Sequence, residues 1–221
     1  MNIDSNIFKF LTLIKNNNNR LWFQQNKDLY YYAKQKFENF VDYIIPQIAR
    51  FDKDIGLLTS SDCTYRIYRD IRFSNDKTPY KVNFGAFFVA GGKKSNKAGY
   101  YLHIEPGENY IGGGLYMPPT DILKIIRKEI YDNIEEFLEI VENKTFKGIY
   151  KEFDGPTLKT APKGFPKEWP YIEYLKYLSY TTGFSISESE MGKDNFSDKL
   201  LYYFEIMSPF VKFFNKALEN L

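Results

Sequence analysis

The sequence predicts an α+β fold in which an antiparallel sheet of about four strands is flanked by N-terminal and C-terminal helices. Apolar residues recur at helical spacing near both ends of the chain. Between residues 63 and 117 the pattern changes to short aromatic and β-branched runs separated by turn residues, which is typical of antiparallel strands. Because helices flank the strands rather than alternate with them, an α/β fold is not expected.

Two helical regions are expected before the strands. The first begins at a cap formed by Asp4 or Ser5 and ends at the asparagine run of residues 16–19. The second runs over residues 20–51, and Pro46 should kink it or restart its last turn.

Short turn-rich links separate the later strands, so a four-stranded meander is the simplest arrangement. Gly112, Gly113 and Gly114 lie within the last strand. No helix starts directly behind these glycines, so we expect a bulge or close packing there rather than a phosphate loop. The four strands are predicted near residues 64–71, 84–90, 99–105 and 109–116.

Two helices are predicted after the sheet, one capped by Thr120 or Asp121 and one over residues 133–143. Residues 153–169 are rich in proline, which predicts an extended and rigid connection. Two C-terminal helices are expected near residues 194–207 and 209–221.

Length and composition predict a single domain over residues 1–221. The chain is 43% hydrophobic and 26% charged, the ordinary globular balance, and no segment has the composition of a linker. Its one cysteine, Cys63, excludes an internal disulfide and a cysteine-based zinc site. A lone cysteine also suits a reducing compartment, so we expect a cytoplasmic protein.

Charge and hydropathy argue against two classes of partner. The formal net charge of +2 is far from the excess of a general nucleic-acid binder, so we do not expect a nucleic-acid partner. No run approaches the ~18 apolar residues that a membrane span requires. The apolar stretch over residues 7–14 lacks a basic leader, so we do not expect a signal peptide or a membrane partner.

The strongest functional signal is the segment over residues 66–81. Its basic residues outnumber Asp70 and Asp76 by five to two, a local surplus of three in a chain whose net charge is +2. Any anion site must therefore be local, and a possible anionic small molecule is the expected partner. The basic residues are Arg66, Arg69, Arg72, Lys77 and Lys81.

Strand alternation places Arg69 on the apolar face of this segment. A buried guanidinium must be paired or must line a pocket, because an unpaired buried charge is costly. Two interpretations stay open. The arginines either bind phosphate or carboxylate through their planar forks, or form a structural network in which an acid such as Asp70 or Glu105 pairs with Arg69.

His103 is the only histidine of the chain, and alternation places it on one strand face with Tyr101 and Glu105. It is either a general base near a carboxylate or a strand histidine satisfied by its neighbours. No histidine or cysteine cluster accompanies it, so no metal site is expected. On the proline-rich connection, Lys159 and Lys163 are rigidly placed cations that could reach the sheet.

Several segments together resemble a widespread family of bacterial and fungal proteins known only as a conserved domain of unknown function. The resemblance rests on residues 19–23, on RIYRDIRFSNDKTPYK over residues 66–81, on residues 101–106 and 112–118, and on LKTAPKGF over residues 158–165. It implies one full-length domain whose arginine segment and lysine loop belong to recurring motifs, and it implies no substrate or cofactor.

Two hypotheses follow. The first is a pocket for a phosphate-bearing or carboxylate-bearing ligand between residues 66–81 and 159–164, with a catalytic version in which His103, Asp70 or Glu105 moves a proton. The second is a non-enzymatic interaction or scaffold protein with a structural arginine network. The sequence does not decide whether the protein is an enzyme, and the cofactor and oligomeric state are unknown.

Overall fold

The computed structural model describes residues 1–219 of the chain, whose backbone divides into two compact units. The prediction of a single domain over residues 1–221 stays a prediction. Unit 1 comprises Met1–Lys93, Tyr101–Ile111 and Ser185–Tyr202, and unit 2 comprises Lys94–Tyr100, Gly112–Phe184 and Tyr203–Leu221.

The elements confirm the α+β prediction, with helices at both ends and one antiparallel four-stranded sheet. The helices are α1 (Ser5–Asn16), α2 (Arg20–Gln25), α3 (Lys27–Ile48), α4 (Ser60–Cys63), α5 (Thr120–Asp132), α6 (Ile134–Val141), α7 (Lys144–Ile149), α8 (Ile172–Leu175), α9 (Glu188–Met191) and α10 (Phe196–Ala217), with a 3₁₀ turn at Lys53–Ile55. The strands are β1 (Phe84–Phe88), β2 (Gly99–Ile104), β3 (Tyr110–Leu115) and β4 (Tyr180–Ser185), in the order β1-β2-β3-β4.

In unit 1 the N-terminal helices follow the predicted caps but not the predicted length. The Asp4 carboxylate accepts from the backbone N–H of Asn6 at 2.9 Å and caps α1. The helical region expected over residues 20–51 is confirmed as far as Ile48, but it consists of two helices, because Asn26 is non-helical and separates α2 from α3. Its backbone N–H and its side-chain amide both donate to the carbonyl of Trp22, at 3.0 and 2.8 Å, and close the end of α2. Pro46 lies within the last turn of α3 without ending it.

The meander prediction holds for β1, β2 and β3 and fails for the remaining strand. The strand expected over residues 64–71 is wrong, because this segment forms only isolated antiparallel bridges, Thr64 with Ala86 and Tyr68 with Tyr80. The N–H of Tyr65 still donates to the Gly85 carbonyl of β1, but Ile67 and Arg69 pair with the returning chain of their own loop. The fourth strand is β4, which the sequence pattern did not indicate.

In unit 2 the glycines of β3 allow close backbone approach. A Cβ at Gly114, whose φ is +112°, would lie 2.1 Å from the carbonyl oxygen of Tyr180, and one at Gly113 would lie 2.4 Å from that of Gly99. Such distances leave no room for a side chain. The glycines therefore serve packing of the sheet, as expected.

One continuous helix, α10, replaces the two C-terminal helices that were predicted. It runs through Pro209, although proline removes a helical hydrogen bond. Met207 and Phe210 on either side of the proline are fully buried, and this burial offsets the lost bond. Residues 220 and 221 of the predicted helix lie outside the described residues.

Cys63, at the end of α4, is fully buried. Burial raises the pKa of its thiol to about 12, so the thiolate is disfavoured. Among the described residues, no helix combines the length and the apolar character needed to span a membrane.

Candidate functional site

Residues 66–81, which we call the basic loop, fold back on themselves. The backbone N–H of Lys81 donates to the Ile67 carbonyl at 2.7 Å, and that of Arg69 donates to the Pro79 carbonyl at 3.0 Å. Ile67 and Tyr80 are buried and anchor the base of the loop. The ring of Tyr80 stacks on Phe23 of α2 with centroids 4.1 Å apart. The loop is therefore a short hairpin held on α2.

Arg69 is paired inside the basic loop. Its guanidinium donates to the carboxylate of Asp76 and to the hydroxyl of Thr78. The expectation that this arginine needs a partner is confirmed, and the partner is Asp76 rather than Asp70 or Glu105. The Thr78 backbone N–H, Arg69 and the Thr78 hydroxyl together lower the pKa of Asp76 to about 2.

Arg72 is paired at the exposed end of the loop. Its Nε lies 2.9 Å from Oδ1 of Asp70 and its Nη2 lies 2.6 Å from Oδ2, a bidentate pair. Arg72 lowers the pKa of Asp70 to about 2. The guanidinium carbon of Arg72 also lies 5.8 Å from the ring centroid of Phe73, whose side chain is 96% exposed. Asp70, a candidate for moving a proton, is thus the acid of a surface ion pair.

The other cations of the basic loop keep the local charge surplus. Within residues 1–219, Arg66, Lys77 and Lys81 form no ion pair with a carboxylate. The ammonium of Lys77 donates to the carbonyl of Ile71 at 3.0 Å. Lys81 lies 5.1 Å from the ring centroid of Tyr65. Burial and the charge of Arg66 lower the pKa of Lys81, so two cations lie near each other at the base of the loop.

An open groove of about 620 Å³ lies in unit 1 beside the basic loop. Arg20 forms no ion pair with a carboxylate in the part of the chain that the structure describes. It was missed among the predicted site residues, although residues 19–23 were one of the segments carrying the family resemblance. The groove is lined by Asn18, Asn19, Arg20, Ile71, Asp76, Lys77, Thr78 and Pro79.

Asn18 ties the groove wall to the base of the basic loop. Its side-chain amide donates to the carbonyl of Tyr80 at 2.9 Å, and its side-chain oxygen accepts from the N–H of Tyr80 at 3.1 Å. This two-way pairing imitates a strand partner. The link between α1 and α2 therefore brings Arg20 to the groove that Lys77 also lines.

Tyr101, His103 and Glu105, which we call the His103 chain, form a hydrogen-bonded row on one face of β2. The Tyr101 hydroxyl lies 2.9 Å from Nδ1 of His103, and Nε2 lies 3.0 Å from Oε2 of Glu105. An ionised carboxylate only accepts, so Nε2 carries the proton and Nδ1 accepts from Tyr101. The strand alternation that predicted this shared face is confirmed. The amide nitrogen of Asn83 also lies 3.4 Å from Nδ1.

Glu105, at the carboxylate end of the His103 chain, has further partners in unit 1. The backbone N–H of Glu105 donates to the side chain of Asn109 at 3.0 Å, and Oε1 lies 4.0 Å from the ammonium of Lys15 on α1. The side chains of His103 and Glu105 are 20% and 15% exposed. Within residues 1–219, no group of three or more His, Cys, Asp and Glu side chains has an arrangement for a metal ion.

Lys159 and Lys163 belong to unit 2, on the proline-rich connection over residues 153–169. Both are exposed. A backbone hydrogen bond holds this connection within unit 2, since the N–H of Leu158 donates to the carbonyl of Lys176 at 2.8 Å. A joint site of these lysines with the basic loop stays a prediction.

Comparison with known proteins identifies a family and no activity. A family model described as conserved hypothetical protein (DUF2461) matches residues 6–213. The matched range includes the basic loop, the groove, the His103 chain and both lysines of the proline-rich connection. No curated protein and no solved structure gives a significant match.

Proposed function

We propose, for a chain that belongs to the DUF2461 family of conserved hypothetical proteins, that unit 1 binds an anionic ligand bearing a phosphate or a carboxylate. One observation carries the proposal. Arg20 and Lys77 line the same groove, and within residues 1–219 neither forms an ion pair with a carboxylate. The acid in the groove lining, Asp76, is engaged by Arg69 and Thr78.

The groove suits a small anion on chemical grounds. A guanidinium offers a planar fork of donors to a phosphate or carboxylate, and an ammonium offers a compact charge. The side chain of Asn19 adds a polar group to the lining, while Ile71 and Pro79 add apolar surface. A volume of about 620 Å³ lies within the range of small-molecule sites. These features support a ligand of metabolite size.

Isothermal titration calorimetry tests the proposal with inorganic phosphate, citrate and a nucleoside monophosphate as probes. We expect at least one probe to bind, and Arg20→Gln and Lys77→Gln each to weaken it about tenfold or more. The reason is that a hydrogen bond to a charged group contributes about 1.5–3 kcal/mol.

Matched controls are exposed cations of unit 1 that lie outside the groove, Arg50→Gln and Lys9→Gln. They change the net charge by the same amount, so any general charge effect appears in them as well. Binding that is equally weak in the controls, or no binding of any probe to the folded wild type, would refute the groove proposal.

A second candidate function, protein interaction, is favoured by a different observation. Phe73 is 96% exposed and Leu21 is 70% exposed, although both residues are large and apolar. Arg69 and Arg72 are both paired with acids, as a structural arginine network requires. Such aromatic and arginine residues are typical anchors of interfaces. A partner captured from lysate by the wild type but not by the Phe73→Ser variant would support this function over ligand binding.

We also propose a cytoplasmic location, on the strength of the lone buried thiol of Cys63. Cell fractionation checks it directly. Recovery of the protein from an oxidising extracellular compartment would contradict it.

A further inference from the structure

The His103 chain is a second candidate site of unit 1, separate from the groove because the two sets share no residue. A structural histidine on a strand needs a hydrogen-bond partner on each nitrogen, but the chemical type of those partners does not matter. Here the partners come in the order hydroxyl, imidazole, carboxylate, at 2.9 and 3.0 Å. This is the order in which a nucleophile, its base and the group that orients the base occur in covalent catalysis.

We propose that Tyr101 is a nucleophile activated by His103, in a site that transfers a phosphoryl group from an anionic phosphate ester. Nδ1 of His103 accepts the hydroxyl proton of Tyr101 as the phenol oxygen forms a bond to phosphorus. The bond from phosphorus to the leaving oxygen breaks, and the leaving group departs with the electron pair. The imidazolium then returns the proton to that oxygen, so the step is balanced without an oxidant or a metal ion.

The surroundings of Tyr101 favour this role. A Cβ at Gly85 of β1 would lie 2.7 Å from the Tyr101 hydroxyl, so the absent side chain makes room for the phenol. The carbonyl of Gly85 accepts from the backbone N–H of Tyr65 at 3.3 Å, and Lys81 lies over the Tyr65 ring. Lys81 and its neighbour Arg66 thus belong to the segment that pairs with Gly85, and their positive charge would favour an anionic phosphate there.

Glu105 holds the base in the productive tautomer. Its carboxylate accepts a hydrogen bond from Nε2–H, which leaves the lone pair of Nδ1 facing the Tyr101 hydroxyl. The carboxylate also stabilises the imidazolium that forms during transfer. The ammonium of Lys15 on α1 lies 4.0 Å from the carboxylate of this pair, and the neutral phenol of Tyr101 contacts its imidazole. Glu105 is therefore a positioning residue, while Tyr101 touches the reacting phosphorus.

Covalent labelling with 4-(fluorosulfonyl)benzoate tests the proposal, because this anionic probe reacts with activated phenols at a tetrahedral sulfur that resembles phosphorus. The phenol oxygen bonds to sulfur, fluoride leaves, and His103 takes the proton. We expect mass spectrometry to find Tyr101 labelled about tenfold or more faster than Tyr31, which is 58% exposed. The Tyr101→Phe variant confirms the labelled position.

Variants separate a catalytic from a structural histidine. His103→Gln should reduce labelling of Tyr101 to the rate of Tyr31, and Glu105→Gln should give an intermediate rate. The comparison of Tyr101 with Tyr31 in the wild type needs no variant, so it decides the matter even if His103→Gln does not fold.

Inorganic phosphate tests the substrate class. An excess should protect Tyr101 from the probe in the wild type and in the surface control Lys9→Gln, but much less in Lys81→Gln. A labelling rate of Tyr101 equal to that of Tyr31 would overturn the assignment of Tyr101 as a nucleophile. Selective labelling of Tyr101 without protection by phosphate would overturn the proposal that the substrate is a phosphate ester. Calorimetry on Arg20→Gln concerns the groove alone, so failure of that proposal is distinguishable from failure of this one.

Discussion

The guanidinium of Arg69 donates to both the carboxylate of Asp76 and the hydroxyl of Thr78, so one side chain ties the two arms of the basic loop together. Asp76 lines the groove, and the same contacts engage its negative charge with Arg69. A residue that the strand pattern placed on an apolar face therefore acts as the internal brace of a loop whose other cations stay available.

Replacing Arg69 should loosen the loop without unfolding unit 1. In Arg69→Leu, Asp76 loses its cation and the pairing of Lys81 with Ile67 is no longer braced. We expect the amide of Lys81 to exchange with solvent about tenfold faster or more, as in other local openings. Hydrogen exchange followed by NMR measures this. Arg72→Leu, which removes an exposed pair, should change the same rate by less than about twofold. Equal effects of the two variants would contradict the bracing role.

The basic loop should lose its acid pairs only at low pH. The folded pKa values of Asp76 and Asp70 are about 2, below the ordinary value near 3.9. A lowered folded pKa means that these contacts stabilise the loop above about pH 4 and that the stabilisation is lost as pH falls toward 2. Carboxyl carbon shifts in an NMR titration report both midpoints. A midpoint near 3.9 for Asp76 would show that its pairing does not persist in solution.

The two-way pairing of Asn18 with Tyr80 should matter more than its position in a connecting segment suggests. Asn18→Asp keeps an acceptor for the N–H of Tyr80 but removes the donor to its carbonyl. We expect unfolding to become easier by about 1–2 kcal/mol, the usual cost of an unmet partner. Urea denaturation measures it. Asn39→Asp makes the same charge change at an exposed position of α3 and should stay within about 0.5 kcal/mol.

The backbone approach at Gly114 should make this position intolerant of any side chain. Gly114→Ala combines a positive φ with a Cβ that would lie 2.1 Å from the Tyr180 carbonyl, so β3 and β4 must separate. We expect a loss of about 3 kcal/mol or more in urea denaturation. Gly148→Ala is the matched control, because nothing lies within 4 Å of its Cβ position in α7. It should stabilise by about 0.5–1 kcal/mol, and a similar outcome at Gly114 would contradict the packing role.

The features that depend on neighbouring residues were predictable from the sequence. Strand alternation placed Tyr101, His103 and Glu105 on one face, and the hydrogen-bonded row follows that face. The N–H of Thr78 donates to the carboxylate of Asp76 at 2.9 Å, a local contact that is common for aspartate in turns.

Features that depend on distant segments were not predictable in the same way. Arg69 pairs with Asp76 because a turn brings Asp76 back toward it. The spacing of residues along a strand does not predict that turn. The strand β4 pairs with β3 across a long stretch of helices, and its Thr-Thr-Gly centre lacks clear alternation. Pro209 predicts a helix boundary on local grounds, but burial on both sides of it keeps α10 continuous. Arg20 lies in the groove next to Asn18, whose binding to Tyr80 joins segments that are far apart in the sequence.

The buried thiol of Cys63 has a practical consequence for spectroscopy. Maleimides and iodoacetamides attack the thiolate, and the only cysteine of the chain disfavours that form and is inaccessible. The native sequence therefore behaves as a cysteine-free background. In Phe73→Cys, the introduced thiol would be the one that reacts, so a single fluorophore or spin label would sit on the basic loop. Its mobility would then show directly whether an anion or a protein partner orders that loop.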